Sequence, residues 1–182
     1  MKSAAVMIAS CAVFMALAFS YPANAGDMEH CKREQFTVHS IGSVHKENGR
    51  TTLVLNKEAE PALLGVDGFS HVLVFWWFDK NDTPEKRSRL QVHPRGNPDN
   101  PLTGVFATRS PARPNLIALS LCRIRSVRGN VVEVEKIDAF AGTPILDLKP
   151  YIPGYDSTDD ASVPDWVKKI RKAGKEATAA GE

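Results

Sequence analysis

The chain has 182 residues, 43% of them hydrophobic and 24% charged, with three cysteines. That composition suffices for one domain with a sizeable core and excludes a disordered tail, a collagen-like fibre and a dense disulfide scaffold. Lys and Arg number 23 against 21 Asp and Glu, a net charge of +2, so any nucleic-acid binding must use a local basic patch rather than a global field.

Residues 1–25 read as a secretory signal. Lys2 supplies the positive end, Ala4 to Phe19 is apolar except for Ser10, and Ala23-Asn24-Ala25 is a small-x-small cleavage site before Gly26. The expected mature protein is exported, periplasmic or extracellular, and begins with an N-terminal arm over residues 26–35. Cys11 leaves with the leader, so Cys31 and Cys122 remain as an even pair in an oxidising compartment. They are either a disulfide tying the arm to the domain or two separate thiols, Cys122 then being a small apolar strand residue.

Period-two runs dominate from there on. Phe36–Val44, Thr51–Asn56, Phe69–Phe78, Gly104–Thr108, Leu116–Val127 and Val131–Ile137 read as strands. Arg128-Gly129-Asn130 joins the last two as a hairpin, with Gly129 free to take positive φ. Lys57–Leu64 reads as a short helix entered through Asn56 and kept short by Pro61. Residues 79–103 are polar and rich in Pro, Gly and Asn, a long loop of the functional kind. After Asp156 the composition turns polar, and Ser162-Val163-Pro164-Asp165 opens a helix whose apolar stripe is Trp166, Val167 and Ile170. The expected fold is mainly β. A single small barrel spans residues 36–156 with short helices, and a C-terminal helix and tail occupy 157–182.

The strand Phe69–Phe78 is apolar on both faces. One carries Phe69, His71, Leu73, Phe75 and Trp77, the other Val72, Val74, Trp76 and Phe78. Such a strand is either central and covered on both sides or turned toward a partner chain, which points to a symmetric dimer with Trp76 or Trp77 at the interface. His71 is either a ligand or base, or a histidine hydrogen-bonded within the core.

Cofactor and nucleophile motifs are missing. No Gly-x-Gly-x-x-Gly follows a strand, and there is neither a phosphate loop nor a Gly-x-Ser-x-Gly elbow. The histidines at 30, 39, 45, 71 and 93 lack metal spacing, so no metal is expected. What remains is the dense polar run Gly104 to Asn115, in which two prolines stiffen a turn carrying Arg109 and Arg113. Arginine forks suit a carboxylate or phosphate, so the run is an anionic-ligand site or else a surface turn with solvated arginines. A second cluster, Asp138 to Pro144, ends in a turn whose backbone can approach a ligand closely. Asp138 and Asp147 accept hydrogen bonds from a ligand there, or pair with Arg109 and Arg113 to hold the turn. His93-Pro94-Arg95-Gly96 adds positive charge that touches phosphates or merely solvates the loop.

Gly104–Asn115 with Ile117-Ala118-Leu119-Ser120, then Asp138-Ala139-Phe140-Ala141-Gly142-Thr143-Pro144 and Asp147-Leu148-Lys149-Pro150-Tyr151, closely resemble the TrmO (TsaA-like, VirR/YaeB) family. Phe69-Ser70-His71 matches as well, and the resemblance covers about residues 36–156. It implies a small dimeric β-barrel that uses S-adenosylmethionine to methylate N6 of threonylcarbamoyl-adenosine at position 37 of tRNA. Cofactor contacts then fall on Asp79, Lys80, Arg109, Leu119, Ala141, Gly142, Thr143 and Pro144, with Arg109 at the methionyl carboxylate. Substrate contacts fall on Arg95, Arg113 and Asn115, and no catalytic residue is assigned. The family's Asp-Gly-Thr-Pro is Ala141-Gly142-Thr143-Pro144 here, and a position commonly His is Asp79. Those departures, together with the leader, open an alternative in which an exported barrel binds S-adenosylmethionine or another nucleoside-like or anionic small molecule without catalysis.

Overall fold

Alternation of apolar and polar side chains closes the sheet on itself. The computed structural model describes residues 34–170; the expected leader, most of the N-terminal arm and the end of the tail lie outside the described residues, and Cys31 with them. Six strands form a closed antiparallel barrel: β1 (Gly42–Glu47), β2 (Arg50–Leu55), β3 (His71–Trp77), β6 (Ile117–Arg128), β7 (Val131–Val134) and β8 (Pro144–Pro150). Around it the order is β1-β2-β7-β6-β3-β8. Between β3 and β6 the chain makes α1 (Pro84–Ser88) and a small hairpin of β4 (Gln91–Val92) with β5 (Thr103–Gly104). A single turn, α2 (Pro153–Asp156), follows β8, and residues 165–170 are helical.

The barrel interior is filled by every second residue. Val44, Leu53, Leu55, Val72, Val74, Val132, Val134 and Ile145 are all buried, each adding about 1.5–3 kcal/mol by leaving water. Trp76 is the largest inward side chain on β3. It fits because β6 opposes it with the small residues Ala118 and Ser120, and the Ser120 hydroxyl accepts its indole N–H at 3.0 Å. Where β1 crosses β2 the backbones approach so closely that a Cβ on Gly42 would meet the Val54 carbonyl oxygen and, at 2.7 Å, the Leu55 Cα. Only glycine fits there.

Several boundaries differ from the sequence expectation. The first strand starts at Gly42 rather than Phe36 and runs on through His45, Lys46 and Glu47, because Asn48 (φ 50) and Gly49 (φ 74) form the tight turn into β2. Gly104–Thr108 is not a strand beyond Gly104, since Val105–Ala107 coils into a 3-10 turn. Lys57–Leu63 is a 3-10 turn without a side-chain cap, the Asn56 amide donating instead to the Ser40 carbonyl at 3.1 Å. Strand β8 is a seventh run that the predicted strands do not include. Its prolines sit at the first and last positions, where a missing N–H costs the ladder least.

Candidate functional site: a mixed-charge groove on the barrel

Three segments meet at the site. At the end of β3, Phe78 donates its N–H to the Leu116 carbonyl (2.9 Å), and the chain turns through Asp79–Asn81, which leaves Asp79 and Lys80 exposed.

The second segment, residues 105–116, is locked from within. The Arg113 Nη2 donates to the carbonyls of Val105 (2.9 Å) and Thr108 (3.1 Å). The Val105 oxygen also accepts the Thr108 N–H (3.1 Å) and hydroxyl (2.9 Å). Ser110 N–H donates to the Thr108 hydroxyl and Ala112 N–H to the Ser110 hydroxyl. Of the two arginine forks that the sequence places in this turn, Arg113 is thus turned to backbone, and Arg109 is left exposed with no ion pair among the described residues.

In the third segment, residues 135–143, Ile137 and Ala139 are buried while Lys136, Asp138 and Phe140 face outward. Gly142 takes φ 83, which reverses the chain into β8, and its N–H donates to the Val44 carbonyl at 2.7 Å. Thr143 is fully buried, and its hydroxyl reaches the Asp79 carboxylate at 3.5 Å.

Together these segments and the adjoining strands line a groove of about 1170 Å³. Its apolar lining includes Phe75, Trp76, Phe78, Ile117, Leu119 and Leu121, with Phe106 and Phe140 strongly exposed. Five cationic residues (Lys46, Lys80, Arg109, Arg113, Lys136) and two carboxylates (Asp79, Asp138) complete it. Among the described residues none of the seven belongs to an ion pair; all the salt bridges lie elsewhere. The Arg113 Nε is buried with no hydrogen-bond acceptor, so part of this guanidinium is left unsatisfied by the protein.

Asp79, Lys80, Arg109, Arg113, Leu119 and Thr143 therefore come together in one groove. Ala141, Gly142 and Pro144 flank Thr143 but do not line it. Asn115 is exposed outside the lining, as is Arg95, which sits at φ 60 in a loop held by His93 and Asn100 (2.7 Å). Asp147 pairs with Lys149 at 2.8 Å and not with either arginine. His71 takes a hydrogen bond with the Ser70 hydroxyl at 2.8 Å and sits edge-on to Tyr151, away from the groove. Cys122 is buried, which pushes its thiol up to about 11 and rules it out as a nucleophile near neutral pH. Among the described residues no three His, Cys, Asp or Glu side chains gather as a metal site.

Sequence reasoning missed Lys46 and Lys136. Lys46 lies on β1 beyond Val44, where the predicted first strand ends, and its ammonium donates to the Ile137 carbonyl at 3.0 Å. The alternation of Lys136, Asp138 and Phe140 with buried Ile137 and Ala139 was the available signal for the other.

Residues 31–157 match the family described as the tRNA-methyltransferase O N-terminal domain. A probable S-adenosyl-L-methionine-binding protein of Methanocaldococcus jannaschii is 45% identical over 109 residues, covering 60% of this chain and 86% of its own. The tRNA (adenine(37)-N6)-methyltransferase of Escherichia coli is 35% identical over 135 residues, 71% of this chain but 57% of the enzyme. Among solved structures, TrmO from Pseudomonas aeruginosa superposes with a TM-score of 0.55 at 27% identity, over 71% of this chain and 62% of that one. The barrel, the groove and the match over residues 31–157 lead to one conclusion: the chain belongs to the family of the tRNA-methyltransferase O N-terminal domain.

Proposed function

We propose that the groove binds S-adenosylmethionine and that the protein methylates N6 of an adenine in tRNA, the threonylcarbamoyl-adenosine at position 37. The observation that carries this reading is the surplus of unpaired cations, Arg109 foremost, in a groove with apolar walls and an orphaned Arg113 Nε. S-adenosylmethionine offers its carboxylate to Arg109, its adenine to the apolar walls and its sulfonium and ammonium to Asp79 and Asp138, which leaves the remaining cations for the phosphates of a nucleic-acid substrate. The relatives named above as methyltransferase and as S-adenosyl-L-methionine-binding protein support the same ligand.

Bound S-adenosylmethionine supplies a methyl group for in-line displacement, so the chain needs no covalent nucleophile. Its residues orient the reactants and exclude water, which can provide about 7–11 kcal/mol of the barrier. Arg109 takes the methionyl carboxylate as a charge-assisted fork. Asp79, tied to the Thr143 hydroxyl, accepts donors at the nucleoside end, and the Gly142 N–H, which already donates to the Val44 carbonyl, takes no part there. Lys46, Lys80 and Lys136 meet the phosphates of the substrate. Asp79 and Asp138 are the carboxylates able to receive the proton lost from N6.

The enzyme works as a homodimer in this reading. On the outer face, Leu73 pairs with Leu121, Phe75 with Leu119 and Trp77 with Ile117, and this stripe runs into the groove. Ile117, Leu119 and Leu121 are 42%, 38% and 50% exposed, apolar area that a second copy of the chain would bury. Of the two tryptophans, Trp77 faces that side.

Transfer of radiolabelled methyl groups from S-adenosylmethionine to total tRNA tests the activity. Incorporation that disappears in Arg109→Ala is expected; binding without any turnover would favour the second reading, a non-catalytic barrel for a nucleoside-like or anionic small molecule. That second reading draws on the leader-like residues 1–25, because export separates the protein from tRNA.

A further inference from the structure

We propose that Arg87, outside the groove, is a positioning residue that locks the Arg109 segment to the end of β3 and thereby sets the groove's affinity for a ligand whose carboxylate Arg109 takes. The affinity half of this rests on the function proposed above; the mechanical half does not.

The geometry is a four-membered brace. The Arg87 Nε donates to one Asp82 carboxylate oxygen at 2.7 Å, and the Trp77 indole N–H donates to the other at 3.1 Å. The guanidinium lies 5.2 Å from the Trp77 ring, so the fork is oriented by stacking as well as by its ion pair. Its Nη1 is then aimed at the Pro114 carbonyl, 3.1 Å away. Each partner holds a different element: Trp77 ends β3, Asp82 follows the Asp79–Asn81 turn, Arg87 sits on α1, and Pro114 belongs to the segment that presents Arg109. Asp82 is held below its ordinary value by Arg87 and Trp77, so the pair is charged at neutral pH.

The anchor matters because, apart from the burial of Ala112, residues 106–115 are held by hydrogen bonds among themselves and with Val105. Their remaining hydrogen bonds, those of Thr108, Ser110, Ala112 and Arg113, all end inside residues 105–113. Among the described residues, the Arg87–Pro114 bond is the one hydrogen bond joining 106–115 to anything beyond the neighbouring Val105 and Leu116. Without it the turn keeps its own shape but can swing as a unit about its two ends. Arg109 would then spend less time where a ligand needs it, and the ordering cost would reappear in the affinity.

The experiment uses the full chain with Arg87→Gln, Arg87→Lys, Arg109→Ala and the two doubles. Two readouts are taken: the rate of tryptic cleavage at the Arg109–Ser110 bond, and the dissociation constant for S-adenosylmethionine. Arg87→Gln is expected to accelerate cleavage roughly tenfold with little change in melting temperature, since local opening governs it. It should weaken binding by about tenfold in the normal background and by less than about twofold when Arg109 is already alanine, the signature of one residue acting through another. Arg87→Lys keeps the charge but not the planar fork, and is expected to behave like Arg87→Gln. Full rescue by lysine, equal losses in both Arg109 backgrounds, or an unchanged cleavage rate would each overturn the proposal. Absence of binding by the unaltered protein would overturn the cofactor reading and the affinity half with it, and the cleavage rate would then decide the brace by itself.

Discussion

Arg109 and Arg113 share a turn and a side-chain type, yet they do different work. Arg113 spends its Nη2 on two carbonyls and shapes the loop; Arg109 has no such partner among the described residues and is the fork assigned to a ligand in the proposed function. The sequence identifies both as notable but cannot show which way a fork points, because that depends on the coil of Val105–Ala107 bringing two carbonyls together. Arg113→Ala should therefore both loosen the turn and weaken ligand binding. Gly42 gives a purely structural forecast. Gly42→Ala pushes a methyl group into β2 backbone and should cost about 1–3 kcal/mol of unfolding free energy, read by denaturant titration. An unchanged midpoint would mean the two strands can part there at no cost. Cys122 makes an alkaline forecast. Its thiol stays neutral in the fold up to about 11, while the unfolded thiol ionises near 8.5. Its folded value being the raised one, the contribution is complete below about 8.5 and is lost as pH rises toward the folded value. Cys122→Ala should remove that part of the alkaline slope in stability.

At the scale of elements, the sequence read β3, β6 and β7 well, and missed β8 and the end of β1. β3, β6 and β7 carry strict alternation or continuous apolar runs, so burial alone announces them. β1 escaped past Val44 because His45, Lys46 and Glu47 are polar, although Asn48-Gly49 beyond them is a strong hairpin signal. β8 escaped because prolines bound it, and the Val105–Ala107 coil escaped because only its hydrogen bonds distinguish it from a strand. The short α1 earns its place through Arg87 and Asp82 rather than through length. The Asp82 value is depressed in the fold by Arg87, so this pair stabilises the protein above the unfolded carboxylate value near 4 and that help is lost as pH falls through the folded one. Asp82→Asn should flatten the acid limb of the stability profile; an unaltered acid limb would show that the brace is not formed in solution.

At the scale of the whole molecule, the groove and the apolar stripe share Phe75, Ile117, Leu119 and Leu121, so the proposed ligand and a second copy seated on the stripe would meet on one face. Light scattering at micromolar concentration should give a dimer mass, and Leu73→Glu, on the stripe but outside the groove, should shift it toward monomer. A monomer in the unaltered protein would show that one chain satisfies this face alone. The barrel and its family were legible from motifs spread over residues 36–156, whereas the pairing of Asp79 with Thr143 and the gathering of Lys46 with Lys136 needed the closed sheet. Arg109 and the groove around it carry the proposed cofactor binding. Calorimetry of the protein with S-adenosylmethionine, beside Arg109→Ala, addresses that directly. Saturable binding that weakens by roughly tenfold or more in the variant, as loss of a charge-assisted contact worth about 1.5–3 kcal/mol requires, is the predicted result. No heat at millimolar ligand, or equal affinity in the two proteins, would contradict it.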